Sequence, residues 1–178
     1  LLPKMNFTIK SGEKLGVTGF NGIGKSTLMK TLVGELPVVA GEFKFVDNAQ
    51  IAYFSQEHTW EDDNLTPLQE ISNLYPKMEE KEIRSYLARS GLRGTLAIQP
   101  IKTLSGGEQA KLKLCKMMLK KANILIFDEP TNHLDIQSKM ELYEAIEKFP
   151  GSVIIVSHED DFYSELIDDK IEEGVKEE

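Results

Sequence analysis

Four short apolar runs punctuate this chain, each bounded by glycine, proline or polar residues. They are Lys14–Thr18 (KLGVT), Ile51–Ser55 (IAYFS), Ala122–Phe127 (ANILIF) and Ile154–His158 (IIVSH). Runs of this length and composition read as strands buried on both faces, as in a parallel sheet covered by helices. Elsewhere the apolar positions fall at helical spacing. Lys25–Val33 reads as a helix directly after the first strand. Pro67–Leu74 and Glu79–Ser90 read as two more, with Ile83 and Leu87 on one face and Ser90-Gly91 as a stop. Ser138–Lys148 is a further helix, with Leu142, Ile146 and Phe149 on one side. Strands alternating with helices predict the α/β class.

The link between the first strand and its helix carries chemistry. Gly19–Ser26 reads GFNGIGKS, which fits G-x-x-x-x-G-K-S/T. Strand, glycine loop and helix is the context in which this pattern cradles phosphate. Gly19, Gly22 and Gly24 let the backbone fold around an anion and turn N–H groups toward it, with Asn21 inside the loop. The helix start adds its dipole and unpaired donors. Lys25 reaches the β- and γ-phosphates in such loops, Ser26 ligates Mg²⁺, and Thr27 is placed to support the α-phosphate. A nucleoside triphosphate with magnesium is the expected ligand, and hydrolysis the expected reaction.

The third strand ends in two acids, Asp128 and Glu129, before Pro130 stops the ladder by withholding a donor. Asp128 is expected to hold Mg²⁺, and Glu129 to orient or deprotonate the attacking water. Phosphoryl transfer needs positioning and charge stabilisation more than covalent help. His158 leaves the fourth strand at the edge where open α/β sheets bind ligands, which makes it a candidate γ-phosphate contact. Gln56 leaves the second strand in the same way and is a candidate for Mg²⁺ or the attacking water. Without the glycine loop, each of these would read as an ordinary polar strand end.

Leu104–Gln109 reads LSGGEQ. Ser105 before a helix is an N-cap signal in its own right. With the other strings, in this order, it resembles the nucleotide-binding domain of the ATP-binding cassette (ABC) superfamily, over nearly the whole chain. GFNGIGKS is similar to the Walker A motif, ILIFDE (124–129) to Walker B, and LSGGEQ to the signature. Gln56 matches the Q-loop glutamine, His158 the switch histidine and Asp135 the D-loop aspartate. The resemblance implies a P-loop NTPase core with a mixed, mainly parallel sheet, a small antiparallel β subdomain and an inserted helical subdomain. Residues 1–178 are then a single ABC ATPase domain. Its core lobe is 1–56 with 108–178, and its helical lobe is 57–107. Met5–Ile9, paired with Glu42–Val46, is expected to supply the antiparallel part. The resemblance also implies a head-to-tail pair of cassettes with two ATP molecules between them. Ser105, Gly106 and Gly107 of one cassette would then face the γ-phosphate held by the other.

The string EPTNHLD at 129–135 resembles the ABC-F subfamily, twin-cassette proteins that act on the ribosome; transporter cassettes commonly carry a small residue where His133 stands. His133 contacts this loop or packs there, and both readings stay open. The stretch between Gln56 and Ser105 has room for a small helical subdomain but not also for a long arm, which resembles the second, armless cassette. The chain opens just after the position where the family stacks adenine on an aromatic, and it reads as an excised domain. Glu159 follows the switch histidine where the family favours Asp.

Composition narrows the alternatives. The length of 178 residues suits one domain with lobes. No apolar run approaches the ~18 residues that would mark a membrane helix, and the start does not read as a signal peptide. Cys115 is the one cysteine, which precludes an intrachain disulfide and suits a reducing, cytoplasmic setting. It lies on an apolar helical stretch and is expected in the core. A net charge of −8 argues against this domain as a main nucleic-acid surface. Glu165–Glu178 holds seven acids and is expected to be frayed. Lys111, Lys113, Lys116, Lys120 and Lys121 are expected to form a solvated helix face, in preference to a ribosome-facing strip. Trp60 is expected to pack under the helical lobe.

Three functions compete. The first is the ATPase cassette of an ABC-F-type protein working on the ribosome, in translation or antibiotic resistance. The second is the energy-coupling ATPase subunit of an ABC membrane transporter. The third is a nucleotide-gated dimerisation scaffold, disfavoured because Lys25, Asp128, Glu129 and His158 are all present.

Overall fold

A computed structural model describes residues 6–19, 24–55, 60–132, 134–158 and 160–173. The chain divides into two compact units. The first comprises residues 1–55, 121–130 and 143–178, and the second 56–120 and 131–142.

The first unit is built on five strands: β1 (Lys14–Gly19), β2 (Ile51–Phe54), β3 (Ile124–Asp128), β4 (Ser152–Val156) and β5 (Asp169–Glu173). Their order is β2-β3-β4-β1-β5, and every pairing is parallel. Helix α1 (Lys25–Leu32) follows β1, and α6 (Asp160–Tyr163) follows β4. One face of the sheet presents Leu15, Val17, Ile126, Ile154 and Val156, which pack with Met29 and Leu32 of α1. Alternate residues, among them Phe127, Val153 and Ile155, are buried on the other face. Both faces are therefore apolar, as the continuous runs predict for a parallel sheet. Asp128 pairs with Val156, so the carboxyl ends of β3 and β4 lie side by side.

Two expectations about this unit need correction. The antiparallel pair of Met5–Ile9 with Glu42–Val46 is not formed: residues 6–10 and 42–46 carry no strand, and Met5 lies outside the described residues. Ile9 and Phe45 still pack on the α1-side core, and Phe43 stacks edge-on against Phe45 at 5.7 Å. A lone two-stranded ribbon is marginal in water. Here side-chain burial holds the segments without a ladder. The acidic tail is also not wholly frayed, because Asp169–Glu173 forms β5 along β1. That pairing satisfies β1's backbone groups on their outer side and lets Ile171 pack on the core.

The second unit is helical. It holds α2 (Pro67–Leu74), α3 (Glu80–Arg89), α4 (Gly106–Leu119) and 3₁₀ turns at Gly94–Ala97 and Ile101–Thr103. Helix α2 starts on a capping box between Thr66 and Gln69, with Pro67 in its first turn. Ile71, Ile83, Leu87, Leu92, Ala97, Ile101, Leu112 and Cys115 form one core, against which Trp60 packs. The apolar face of α4 is what places that helix in this unit, whereas the motif order puts residues from 108 onward in the core lobe. The lysines of α4 are not a uniformly solvated face. Lys116 pairs with Glu70 and lies over the Trp60 ring, while Lys120 and Lys121 are exposed. Helix α5 (Ile136–Lys148) begins in this unit and runs on in residues of the first.

Candidate active site

In open α/β sheets ligands bind outside the carboxyl ends of the strands, and the predicted residues of the first unit gather there. β1 ends at Gly19 and α1 begins after Gly24. Gly24 sits at φ +111°, where a side chain would be strained. Among the described residues no side chain caps α1, and its first turn holds no acid. The dipole and first N–H groups of such a helix start suit an anion. Lys25 is buried, and its Nζ donates to the Gly19 carbonyl at 2.7 Å. This bond ties the two ends of the loop together. Ser26 is half-buried and Thr27 exposed in the same turn. Asn21 and Gly22 lie outside the described residues, as do Gln56 and His133.

Asp128 closes β3 and is buried. Its Oδ2 accepts a hydrogen bond from the Tyr53 hydroxyl at 3.4 Å. Its Oδ1 is buried with no hydrogen bond among the described residues. Glu129 follows with φ +49°, rare for a residue with a side chain and costly by ~1–3 kcal/mol. Its N–H still reaches the Val156 carbonyl at 2.9 Å.

The Glu129 carboxylate meets His158 twice. Oε1 lies 2.7 Å from Nε2 without forming a hydrogen bond. Oε2 accepts the His158 backbone N–H at 3.3 Å. Burial raises the Glu129 pKa above the usual glutamate range. The charge of His158, its N–H and then Lys25 pull it down, while Asp128 pushes it up. Burial wins, so this carboxyl binds a proton more readily than an exposed glutamate. Lys25, Asp128 and His158 all lie close enough to Glu129 to act on its charge.

The donors fit magnesium. Ser26 and Asp128 offer hard oxygen ligands, and the unsatisfied Asp128 Oδ1 is a buried acceptor suited to a cation. Among the described residues no group of three His, Cys, Asp or Glu could hold a metal alone.

The remaining predicted residues belong to the second unit. Ser105 caps α4 in a capping box: its Oγ accepts the Glu108 N–H at 3.3 Å, and Glu108 Oε2 accepts the Ser105 N–H at 2.8 Å. Ser105 and Gly106 are exposed and Gly107 is half-buried. Asp135 caps α5, with Oδ1 accepting the Ser138 N–H at 2.7 Å and its hydroxyl at 2.6 Å. The Ser138 hydroxyl first, then its N–H, lower the Asp135 pKa.

Tyr53 was not among the predicted site residues, although it is the one polar-tipped side chain buried partway along β2. Its hydroxyl at the strand's carboxyl end was the available signal.

Comparison with known proteins identifies the family. A family model described as "ABC transporter" matches residues 2–132. The "Uncharacterized ABC transporter ATP-binding protein YfmM" of Bacillus subtilis (strain 168) is 40% identical over 91% of this chain and 31% of its own length. The "Probable ATP-binding protein YbiT" of Escherichia coli O157:H7 is 43% identical over 93% of this chain and 32% of its own. The "Putative ATP-binding protein YdiF" of Bacillus subtilis (strain 168) is 42% identical, with 93% of this chain and 26% of its own length covered. The chain thus spans about a quarter to a third of these relatives. Among solved structures, the "RNase-L Inhibitor" matches with a TM-score of 0.75 and 25% identity, covering 92% of this chain and 32% of that one.

Proposed function

Because this chain belongs to the ABC transporter family and is an ATP-binding cassette of it, we propose that it hydrolyses ATP as one of two paired cassettes in an ABC-F-type protein that acts on the ribosome. The observation that carries the hydrolytic part is the buried Glu129 carboxylate, held by His158 beside Asp128 and Lys25. The loop of Gly19, Asn21, Gly22 and Gly24 wraps the phosphates with backbone N–H groups, and Thr27 supports the α-phosphate. Lys25 redirects its ammonium from the Gly19 carbonyl to the β- and γ-phosphate oxygens. Ser26 and Asp128, with Gln56, hold Mg²⁺, which neutralises phosphate charge when bound. Glu129 orients the attacking water and takes its proton. The water oxygen bonds to the γ-phosphorus as the bond to the β–γ bridging oxygen breaks, and ADP and phosphate leave. His158 contacts the γ-phosphate and keeps Glu129 in place. Ser105, Gly106 and Gly107 serve the phosphate held by the partner cassette, and Asp135 contributes at the pair's junction.

The ribosomal assignment is supported by EPTNHLD at 129–135. The rival reading, an energy-coupling subunit of a membrane transporter, is favoured by the printed name of the YfmM relative. Among the described residues no helix is long and apolar enough to cross a membrane. The test is sedimentation of the full-length Glu129→Gln protein, with ATP, over ribosomes and over membranes. Pelleting with ribosomes supports the proposal. Recovery only with membranes overturns the ribosomal part and leaves the ATPase chemistry standing.

A further inference from the structure

Trp60 is joined to the turn that opens α4 by a chain of directed hydrogen bonds. Its indole Nε1–H donates to Gln109 Oε1 at 2.8 Å. The same amide's Nε2–H donates to the Leu104 carbonyl at 3.2 Å. Trp offers only a donor and a backbone carbonyl only an acceptor, so the amide has one satisfactory orientation. Leu104 is buried and immediately precedes the cap residue Ser105. Holding its carbonyl therefore fixes the plane of the 104–105 peptide, from which the Ser105 side chain and the first N–H groups of α4 project. Ser105 Oγ accepts the Glu108 N–H, which leaves its own proton to donate elsewhere.

The far side of the indole is equally constrained. Lys116 Nζ lies 5.2 Å from the ring centroid and is paired with Glu70 on α2. The ring body packs against the helical core. Packing alone would require an aromatic ring at this position; the N–H bond to Gln109 is an additional, directional element. A burial role is served by Phe as well as by Trp, but the bond is not.

We propose that Trp60 is a positioning residue: through Gln109 and the Leu104 carbonyl it sets the direction in which Ser105, Gly106 and Gly107 present their donors. The inference rests on the proposed function, in which these donors serve the nucleotide of a partner cassette. Trp60 touches no reacting atom. Its effect is expected in the step that needs the partner's donors, not in binding of ATP to the phosphate loop of residues 19–26.

The test compares full-length wild type with Trp60→Phe, which keeps the ring and its packing, and with Gln109→Glu, which keeps the acceptor for Trp60 but loses the donor to Leu104. Each variant is expected to lower kcat about tenfold, the equivalent of ~1.4 kcal/mol in the barrier. The affinity for ATP should stay within about twofold of wild type, and the Glu129→Gln forms should pair less readily on ATP addition. The double variant should be no worse than either single one, because both break one relay. Wild-type kcat in both single variants would overturn the inference, as would equal losses of kcat and ATP affinity together with a lowered melting temperature. If Trp60→Phe does not fold, Gln109→Glu decides alone. Wild-type turnover that is absent, or indifferent to Glu129→Gln, would instead overturn the ATPase reading, and this inference with it.

Discussion

Glu129 sets one carboxylate oxygen 2.7 Å from Nε2 of His158 and receives the backbone N–H of the same histidine on the other, at 3.3 Å. The two residues are far apart in sequence. They meet because β3 and β4 are neighbours in register, with Asp128 opposite Val156. This arrangement keeps the Glu129 carboxylate against the His158 end of β4. Glu129→Gln is expected to slow ATP hydrolysis by about 10²–10⁴-fold, the usual worth of a positioned general base, while ATP binding is retained. Single-turnover hydrolysis and equilibrium nucleotide binding on the full-length protein check both halves. Unchanged hydrolysis would remove Glu129 from the mechanism.

The raised Glu129 pKa makes a stability prediction with a definite sign. The folded chain binds this proton more tightly than the unfolded chain. Below the ordinary glutamate range the carboxyl is protonated in both states and costs nothing. As pH rises through that range and the raised folded value, the folded state must bury a charge, and stability falls. Glu129→Gln lacks the penalty. Without nucleotide, its melting temperature should exceed that of wild type by more at pH 8 than at pH 4. A gap that narrows with rising pH would contradict the burial argument.

Lys25 Nζ donates to the Gly19 carbonyl at 2.7 Å. Charge-assisted hydrogen bonds contribute about 1.5–3 kcal/mol. Lys25→Ala is therefore expected to weaken ATP binding by roughly 10–100-fold. Titration with a fluorescent ATP analogue measures this directly, and an unchanged affinity would exclude Lys25 from phosphate recognition.

Asp135 caps α5 through Ser138. Asp135→Ala should cost about 1 kcal/mol of stability, and Asp135→Ser considerably less, because serine can still cap. Denaturant midpoints separate this local role from any effect on turnover. If the serine variant restores stability but not ATPase activity, Asp135 has a second role that needs its charge.

Gly151 approaches Asn123 so closely that an added Cβ would lie 2.3 Å from the Asn123 carbonyl oxygen and 2.6 Å from the Phe149 ring. That oxygen already accepts the Ser152 N–H, which starts the β3–β4 pairing. Gly151→Ala should destabilise the chain by about 1–3 kcal/mol, read as a lower thermal midpoint with nucleotide binding intact after correction for the folded fraction.

Much of the site was legible because its signals are local. The glycine loop, the acids ending an apolar run and the serine cap depend on neighbours within a few residues. The cap of α5 was less visible: Asp135 reads as a family position, yet its contacts here are those of an ordinary N-cap. The Trp60–Gln109–Leu104 relay had no sequence signal of its own, because it joins residues brought together by packing.

The sequence by itself determined the α/β class, the buried strands, the extent of α2 and the identity of the phosphate and acid motifs. Hydrophobic periodicity and glycine placement act over one or two turns and are written in the order of residues. Only the tertiary structure decided the strand order β2-β3-β4-β1-β5, the recruitment of the acidic segment Asp169–Glu173 as an edge strand and the failure of residues 42–46 to pair. It also decided the approach of Glu129 to His158. These are choices among competing long-range pairings. They are settled by which backbone edges remain unsatisfied and which side chains can be buried together, and neither is a property of a local segment.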